Sequence, residues 1–477
     1  MSTTHRIVKS TTTLLLSQSI YFIAGLLVMT LAARILGVKD FGGFMFATSL
    51  VAFIEITTNL GINLLLVREI ARNKEDIQKY WSNIFIIKIA LSIISTFTII
   101  SISILFSFTP LIVIVILAIS QIFNSMVIFN NAVFQAMEKV QYQLYSTINE
   151  KIVTTILAVI VLFKGYGLTG LASIFLLSRI ISWVVSMVLM NRYVAKIIWY
   201  LDLIFIRRII RQSLPFALFL IMGTVYFQMD SILLAYFMGN EAVGYYQAAL
   251  RLVVVILLLP DVIAKSILPV MSHLFKHSIN DLNNIFYVSY KIMIIISIPI
   301  SFGLYILAKP IILLLFGQDY QLSVQVLQIL CWIIVMRFIG LIPGTYLTAI
   351  NKQKIRSYTV TIAAIISITM NIILIPKFGI IGVSITNLIS NFLVVSIYIV
   401  FIQLTISNIN LIKILITPIL SALISFLFFS QIYKSNSLYT LILTISGYFS
   451  LLILFKSITK SEVVKFFTNI RQLVGNN

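Results

Sequence analysis

Acidic residues are scarce in this chain. It carries 14 Asp and Glu against 34 Lys and Arg in 477 residues, and charged residues make up only 10% of the total. Water-soluble domains are about a quarter charged, so a soluble globular fold of this length is excluded. The single cysteine, Cys331, lies in an apolar segment, and one thiol cannot build a disulfide framework. No Walker phosphate loop occurs, so ATP hydrolysis by this chain is not expected. No nucleophile–base arrangement stands out either, and an enzyme is not expected. Histidine is rare as well. His273, His277 and Asp281 fall at i, i+4 and i+8, but beside Lys276 in a basic loop they read as a solvated face rather than a metal site. No cofactor is expected.

What the chain has instead is hydrocarbon: 60% of its residues are hydrophobic and the mean hydropathy is +1.08. Apolar runs of about 20 residues, the length that crosses a bilayer, recur from end to end. Inside hydrocarbon the backbone must bond within its own helix, so the predicted class is an all-α polytopic membrane protein. Fourteen spans are predicted, starting near residues 11, 41, 80, 110, 142, 167, 213, 241, 284, 320, 353, 380, 411 and 436. The first follows a basic head, as a signal peptide would. It lacks a small-residue cleavage site and reads as a retained membrane helix.

The gaps between spans alternate in charge. The termini and even-numbered loops hold 22 Lys and Arg, the odd-numbered loops six, and six more lie inside spans. This bias predicts both termini in the cytoplasm, and the expected location is the cytoplasmic (inner) membrane. The same loops explain the net charge of +20, so no nucleic-acid partner is expected. One linker, "IIWYLDLIFIRRIIRQ" at 197–212, mixes aromatic and aliphatic residues with Arg207, Arg208 and Arg211. It suits an amphipathic helix lying on anionic lipid of the inner leaflet.

The halves on either side of that linker resemble each other. "LGVKDFGGFMFATSLV" (36–51) aligns without a gap on "MGNEAVGYYQAALRLV" (238–253), "QAMEK" (135–139) on "TAINK" (348–352), and "YGLTGLASIFLLSR" (166–179) on "FGIIGVSITNLISN" (378–391). The order is kept, which predicts a parallel repeat. The expected domains are a six-helix bundle at 1–190, a linker helix at 191–212, a second six-helix bundle at 213–404, and two further spans with a basic tail at 405–477. Two matched bundles across a membrane imply a cavity between them and alternating access. Pro260, Pro299, Pro343 and Pro418 interrupt the second half and its appendage, against only Pro110 in the first, so the second bundle is expected to bend more.

Ions inside the spans are the candidate functional residues, because each costs at least ~2.5–3.5 kcal/mol at mid-bilayer. The cations are Lys88, Lys151, Arg179, Arg251, Lys291 and Arg337. The acids are Glu55, Glu150 and Asp230, with Asp261 near the inner end of span 8. Lys88 and Lys291 are near enough to the cytoplasmic ends to snorkel. Glu150 and Lys151, being neighbours, should point in different directions, with at least one paired elsewhere. Arg179, Arg251 and Arg337 are near mid-span, facing a cavity or pairing with Glu55, Asp230 or Glu150. Asp230, in "VYFQMDSILLAYFMG", either neutralises an arginine or binds a driving H+ or Na+. Cations outnumber acids, which suits an anionic passenger such as a diphosphate.

Several stretches carry a family resemblance: "AARILGVKDFGGF", "LPFALFLIMGTVYFQMDSILLAYFMGNEAVGYYQAALRL", "LFGQDYQLSVQVLQIL" and "LTAINKQK…NIILIPKFGIIGVSI". Over about residues 10–400 the chain resembles the polysaccharide-transporter (Wzx-like) flippases of the multidrug/oligosaccharidyl-lipid/polysaccharide exporter superfamily. The resemblance implies that a polyprenyl-diphosphate-linked oligosaccharide is flipped from the inner to the outer leaflet. It also implies a site in which Arg179, Arg251, Arg337, Lys151, Lys88 and Lys291 hold the diphosphate, with Asp230, Glu55 and Glu150 as coupling or ion-pair acids. The lipid II flippases of the superfamily carry arginines well inside span 1. Here the only basic residue of that span is Arg34, near its outer end, which argues against a peptidoglycan precursor. Expected partners are membrane lipid and a glycan polymerase or ligase, around a monomeric transporter. The rivals are a cation-coupled multidrug exporter of the same architecture, which would want acids in its cavity, and a membrane glycan polymerase or transferase, which would want a sizeable outer loop.

Overall fold

The structure, a computed structural model, describes residues 3–105, 109–196, 199–405, 411–432 and 437–455. The expected basic tail beyond 455 lies outside the described residues. The chain forms α1 (Thr3–Asn59), α2 (Ile62–Arg72), α3 (Ile77–Leu105), α4 (Leu111–Ala136), α5 (Val140–Phe163), α6 (Gly167–Tyr193), α7 (Leu203–Met238) and α8 (Asn240–Ile256). There follow α9 (Leu258–His277), α10 (Ile279–Ile306), α11 (Ala308–Phe316), α12 (Ser323–Ala349), α13 (Gln353–Thr405), α14 (Leu411–Ile432) and α15 (Ser437–Leu454). No strand occurs among the described residues. Among the described residues, ten stretches are long and apolar enough to cross a membrane, and two shorter apolar helices, Ile414–Phe428 and Leu441–Leu454, follow them. The protein is an all-helical, multi-pass membrane protein.

Two of the ten stretches, Ala24–Arg72 and Gln353–Thr405, each hold a pair of predicted spans. Both are bent where a glycine takes a positive φ: Gly37 (φ 76°) in α1 and Gly379 (φ 56°) in α13. An L side chain is strained there and glycine is not. Between α8 and α9 the break falls at Leu257, and Pro260 sits in the first turn of α9, where its missing N–H costs no helical bond. Prolines also lie inside α9 (Pro269), α10 (Pro299), α12 (Pro343), α13 (Pro376) and α14 (Pro418).

The internal repeat is written into the backbone. Gly37 and its counterpart Gly239 share one conformation, φ 76° and ψ 175° against φ 80° and ψ −178°. Gly167 (φ 62°) matches Gly379 (φ 56°), and Glu138 (φ 58°) matches Asn351 (φ 62°). The last pair are not glycines, and a left-handed L residue costs about 1–2 kcal/mol. In each case the same helix-ending bonds compensate: Lys139 N donates to Phe134 O at 2.8 Å, and Lys352 N to Leu347 O at 2.8 Å, which caps the orphan carbonyls of α4 and α12. At Gly42 and Gly244, also counterparts, the chain crosses itself closely. A Cβ on Gly42 would lie 1.8 Å from the Asn240 carbonyl oxygen, and one on Gly244 would lie 2.3 Å from that of Val38.

By contacts the chain divides into two compact units. The first comprises 7–248 with 371–380, and the second 249–370 with 381–477 and the first six residues. In the first, α4 packs along α6 through small and polar residues that let backbones approach. Buried Ser178, Ser182 and Ser186 line α6, and a bonded chain runs across three helices: Trp81 Nε1 donates to Asn130 Oδ1 (3.1 Å), and Asn130 Nδ2 to Ser186 Oγ (2.9 Å). Helix α7 starts inside the linker and runs unbroken into the seventh span. Asp202 caps it, its Oδ1 accepting from Phe205 N at 2.9 Å. The cap is tied to α3 by Asn83 Oδ1, which accepts from Asp202 N (2.8 Å), and by Lys79 Nζ, 3.3 Å from Asp202 Oδ2. In the second unit α12 is the centre, packed on α9 and α10 and largely buried along its length.

Candidate functional site

Two ions of the first unit meet on one amide. Glu55 projects from α1, Gln121 from α4 and Arg179 from α6. Gln121 Nε2 donates to Glu55 Oε2 at 2.8 Å, and its Oε1 accepts from Arg179 Nη1 at 2.8 Å. The same guanidinium nitrogen reaches Ser120 Oγ at 3.1 Å, and the guanidinium stands 6.0 Å from the Phe175 ring. The carboxylate and guanidinium therefore compensate each other through a neutral side chain, not by direct contact. Arg179 Nε is buried and has no hydrogen-bond partner among the described residues.

Lys88 completes this group. It is 0% exposed, so it does not snorkel. Its ammonium points at Thr58 O (3.4 Å) and Ser125 Oγ (3.3 Å), with the Phe129 ring at 5.8 Å, and it lies within electrostatic range of Glu55, as Arg179 does. Two cations to one acid leave this cluster electropositive. Such a cluster in a low dielectric attracts an anion far more strongly than one in water.

The other predicted ions fall elsewhere. The divergence expected of Glu150 and Lys151 is not what the structure shows: Lys151 Nζ curls back to Glu150 Oε1 at 3.1 Å. Both are buried, and separating two buried charges costs more than bending one flexible lysine stem. Asp230, 3% exposed, accepts from Tyr246 Oη at 2.9 Å and from Asn371 Nδ2 at 2.7 Å. Asn371 Oδ1 is buried and has no partner among the described residues. In the second unit, Arg251 is half-buried on α8, and Lys291 on α10 lies 5.5 Å from the Tyr287 ring. Arg337 on α12 lies within electrostatic range of Asp261. The His273 and His277 rings lie 4.3 Å apart, tilted by 46°, and the described residues hold no cluster of three metal-ligating side chains.

Sequence reasoning missed the neutral partners, Gln121, Ser120, Thr58, Ser125, Tyr246 and Asn371. The available signal was amide and hydroxyl groups within apolar runs, groups that must find partners once buried.

These positions belong to a known family. Residues 7–275, more than half of the chain, match the family described as polysaccharide biosynthesis protein. The chain is a member of that family. Residues 215–373 also match the MatE family, which agrees with the exporter superfamily that the sequence resembles. A putative O-antigen transporter of Shigella dysenteriae is 25% identical over 376 residues, covering 77% of this chain and 93% of that one. A probable low-salt glycan biosynthesis flippase of Haloferax volcanii, Agl15, is also 25% identical, over 35% of this chain and only 36% of its own length. Among solved structures, the lipid II flippase MurJ in an inward closed conformation superposes with a TM-score of 0.74 at 18% identity, covering 92% of this chain and 98% of that one. At that identity the likeness establishes the fold.

Proposed function

We propose that this protein is a transporter, not an enzyme. It flips a glycan carried on a polyprenyl diphosphate from the inner to the outer leaflet of the cytoplasmic membrane, by alternating access, as a monomer with both termini in the cytoplasm. The observation that carries this reading is the charge of the buried cluster: Arg179 and Lys88 stand against Glu55 alone, and Gln121 holds the arginine without cancelling it. A guanidinium fork matches phosphate oxygens in a way that water or a sugar hydroxyl does not. Arg251, Lys291 and Arg337 are proposed diphosphate contacts of the second unit, while Lys151 serves the ion pair with Glu150. An apolar cavity of about 270 Å³ in the first unit, lined by Phe46, Leu50, Ile102, Ile232, Leu233 and Tyr236, suits part of a prenyl chain.

Coupling to a cation falls to Asp230. The carboxylate, the Asn371 Oδ1 oxygen and the Tyr246 hydroxyl are an all-oxygen set of the kind hard cations take, and a buried carboxylate equally suits a proton. These residues would hold Na+ or H+, whose gradient supplies the driving force. A glycan polymerase or ligase would then use the delivered repeat unit.

The test is reconstitution in liposomes with a fluorescent polyprenyl-diphosphate oligosaccharide, scoring outer-leaflet probe with a membrane-impermeant quencher. Arg179→Gln should slow flipping at least about 10-fold, the loss of one charge-assisted bond in a buried setting. Unchanged flipping in that variant, or transport of a cationic drug in place of the lipid, would defeat the assignment.

A further inference from the structure

The repeat keeps one side-chain bond between helices in both copies. In the first copy Gln135 Nε2, at the end of α4, donates to Gln143 Oε1 in the first turn of α5 at 2.9 Å. The match of 135–139 on 348–352 carries these residues onto Thr348 and Arg356, and there Arg356 Nη1 donates to Thr348 Oγ1 at 3.3 Å. The backbone agrees: Tyr142 N donates to Lys139 O and Ile355 N to Lys352 O, both at 3.1 Å. The register between the copies is thereby fixed. In the first copy Tyr142 stacks on Tyr193, the last residue of α6, with ring centroids 5.2 Å apart and planes 15° from parallel. Phe134 meets Tyr142 edge-on at 5.9 Å, and Tyr145 lies 6.5 Å from it. Lys139 Nζ donates to the Tyr193 carbonyl, tying the turn before α5 to the end of α6, and the Arg192 guanidinium lies 5.4 Å from the Tyr193 ring. Tyr193 is 44% exposed and Tyr145 59%, and Gln135 is exposed beside them.

Tyrosines at the ends of membrane helices commonly do no more than anchor the protein in the interface. Such a belt would recur in both copies, and one of the three does: Tyr145 has Tyr358 as its counterpart, 68% exposed. The stacked pair does not recur. Tyr142 falls on Ile355, and Tyr193 on Thr405, the last residue of α13. Nor does the amide pair. The stack therefore belongs to the first copy alone and is not a requirement of the shared frame. Its chemistry suits a carbohydrate. An aromatic face carries partial negative charge and meets the electropositive C–H face of a pyranose ring. Two glutamines bonded once to each other keep spare N–H donors and carbonyl lone pairs for hydroxyl groups. The place suits one too: α4 and α6 end and α5 begins here, on the side that the loop charges assign to the cytoplasm, where a repeat unit is met before transport. We propose that Tyr142, Tyr145 and Tyr193, with Gln135 and Gln143, form a docking platform for the glycan of the lipid-linked substrate. The inference rests on the transport reading above and assigns sugar-recognising residues, which the buried cations do not supply.

The full-length protein in nanodiscs tests it with four matched probes: a polyprenyl diphosphate without sugar, and the same lipid carrying a neutral hexose, an N-acetylhexosamine or a hexuronic acid. Wild type should bind at least one sugar-bearing probe about 5-fold tighter than the bare lipid, the gain expected of one stacked ring. Tyr142→Ala and Tyr193→Ala should each erase that gain while leaving the bare lipid within about twofold of wild type. Tyr193→Phe, which keeps the ring face, should retain it, and Tyr358→Ala in the other copy should change nothing. Two results would overturn the platform and leave the transport reading standing: equal wild-type affinity for all four probes, or the wild-type preference kept in both alanine variants. An equal loss for bare and sugar-bearing lipid in Tyr193→Ala would assign the rings to interface anchoring, which also overturns it. A wild-type protein that binds no probe would overturn both readings.

Discussion

Replacing Gln121 by Leu keeps the volume of the side chain and removes both of its hydrogen bonds. Glu55 Oε2 then loses a donor at 2.8 Å, and Arg179 Nη1 an acceptor at 2.8 Å. Each is a bond to a charged group, worth ~1.5–3 kcal/mol, so the gross loss is ~3–6 kcal/mol. Two features reduce it. Arg179 keeps Ser120 Oγ at 3.1 Å, and the opposite charges are free to close on each other once the amide between them is gone. The expected net loss is ~3 kcal/mol, which a thermal scan in detergent should register as a fall of about 5 °C. A double-mutant cycle separates the bridge from simple packing. With Glu55→Gln in the background, Gln121→Leu should cost at least ~1 kcal/mol less than it does alone, because the ion it serves is absent. Strict additivity of the two substitutions would refute the idea that the amide links the charges.

Other expectations follow from the same contacts. Asp230→Asn should abolish the dependence of flipping on a Na+ or H+ gradient in liposomes while leaving prenyl-diphosphate binding within about twofold; a gradient response equal to wild type removes Asp230 from coupling. Gly42→Ala should lower the melting temperature by several degrees, since its Cβ would lie 1.8 Å from a backbone oxygen, whereas Gly223→Ala, with nothing within 4 Å, should not; equal melting points would show that the close crossing is absent. At Asp202 the Phe205 backbone N–H, and then Lys79, hold the carboxyl below the usual carboxylate range. A depressed native value stabilises the cap above the ordinary value of about 4, and the effect is lost as pH falls through the native one. Amide exchange at residues 203–205 should therefore be faster in Asp202→Ala at pH 7 and match wild type in strong acid; a difference that persists in acid would contradict this.

How much of this could be read from the chain depends on whether the signal is local. Apolar run length is local, so the spans and the all-helical class were legible. So was the repeat, because Gly37, Glu138 and Gly167 and their counterparts fix backbone conformations that sequence similarity preserves. The run-on of α7 from the linker was not, since Asp202 becomes a cap only once Asn83 and Lys79 hold it. Charges in spans announced Arg179, Lys88 and Asp230, because an ion in hydrocarbon is too costly to keep without a use. Their partners carried no such flag. Gln121 and Asn371 are ordinary amides until three helices meet on them, and neighbouring Glu150 and Lys151 bond because their stems are long, which helical geometry alone does not say.

The crossing at Gly42 and Gly244 has one more implication. What Gly42 is to Asn240, Gly244 is to Val38, which is how the two sides of an isologous dimer meet. In a true dimer a substitution there would strike both partners together, and the patch could not become lopsided. Here the two copies share one covalent chain, and that coupling is gone. The register already holds a branched hydrocarbon on one side and an amide on the other, and it is the amide, Asn240, that has acquired a bond to Thr109 at 3.3 Å. Fusion thus lets each copy be tuned separately.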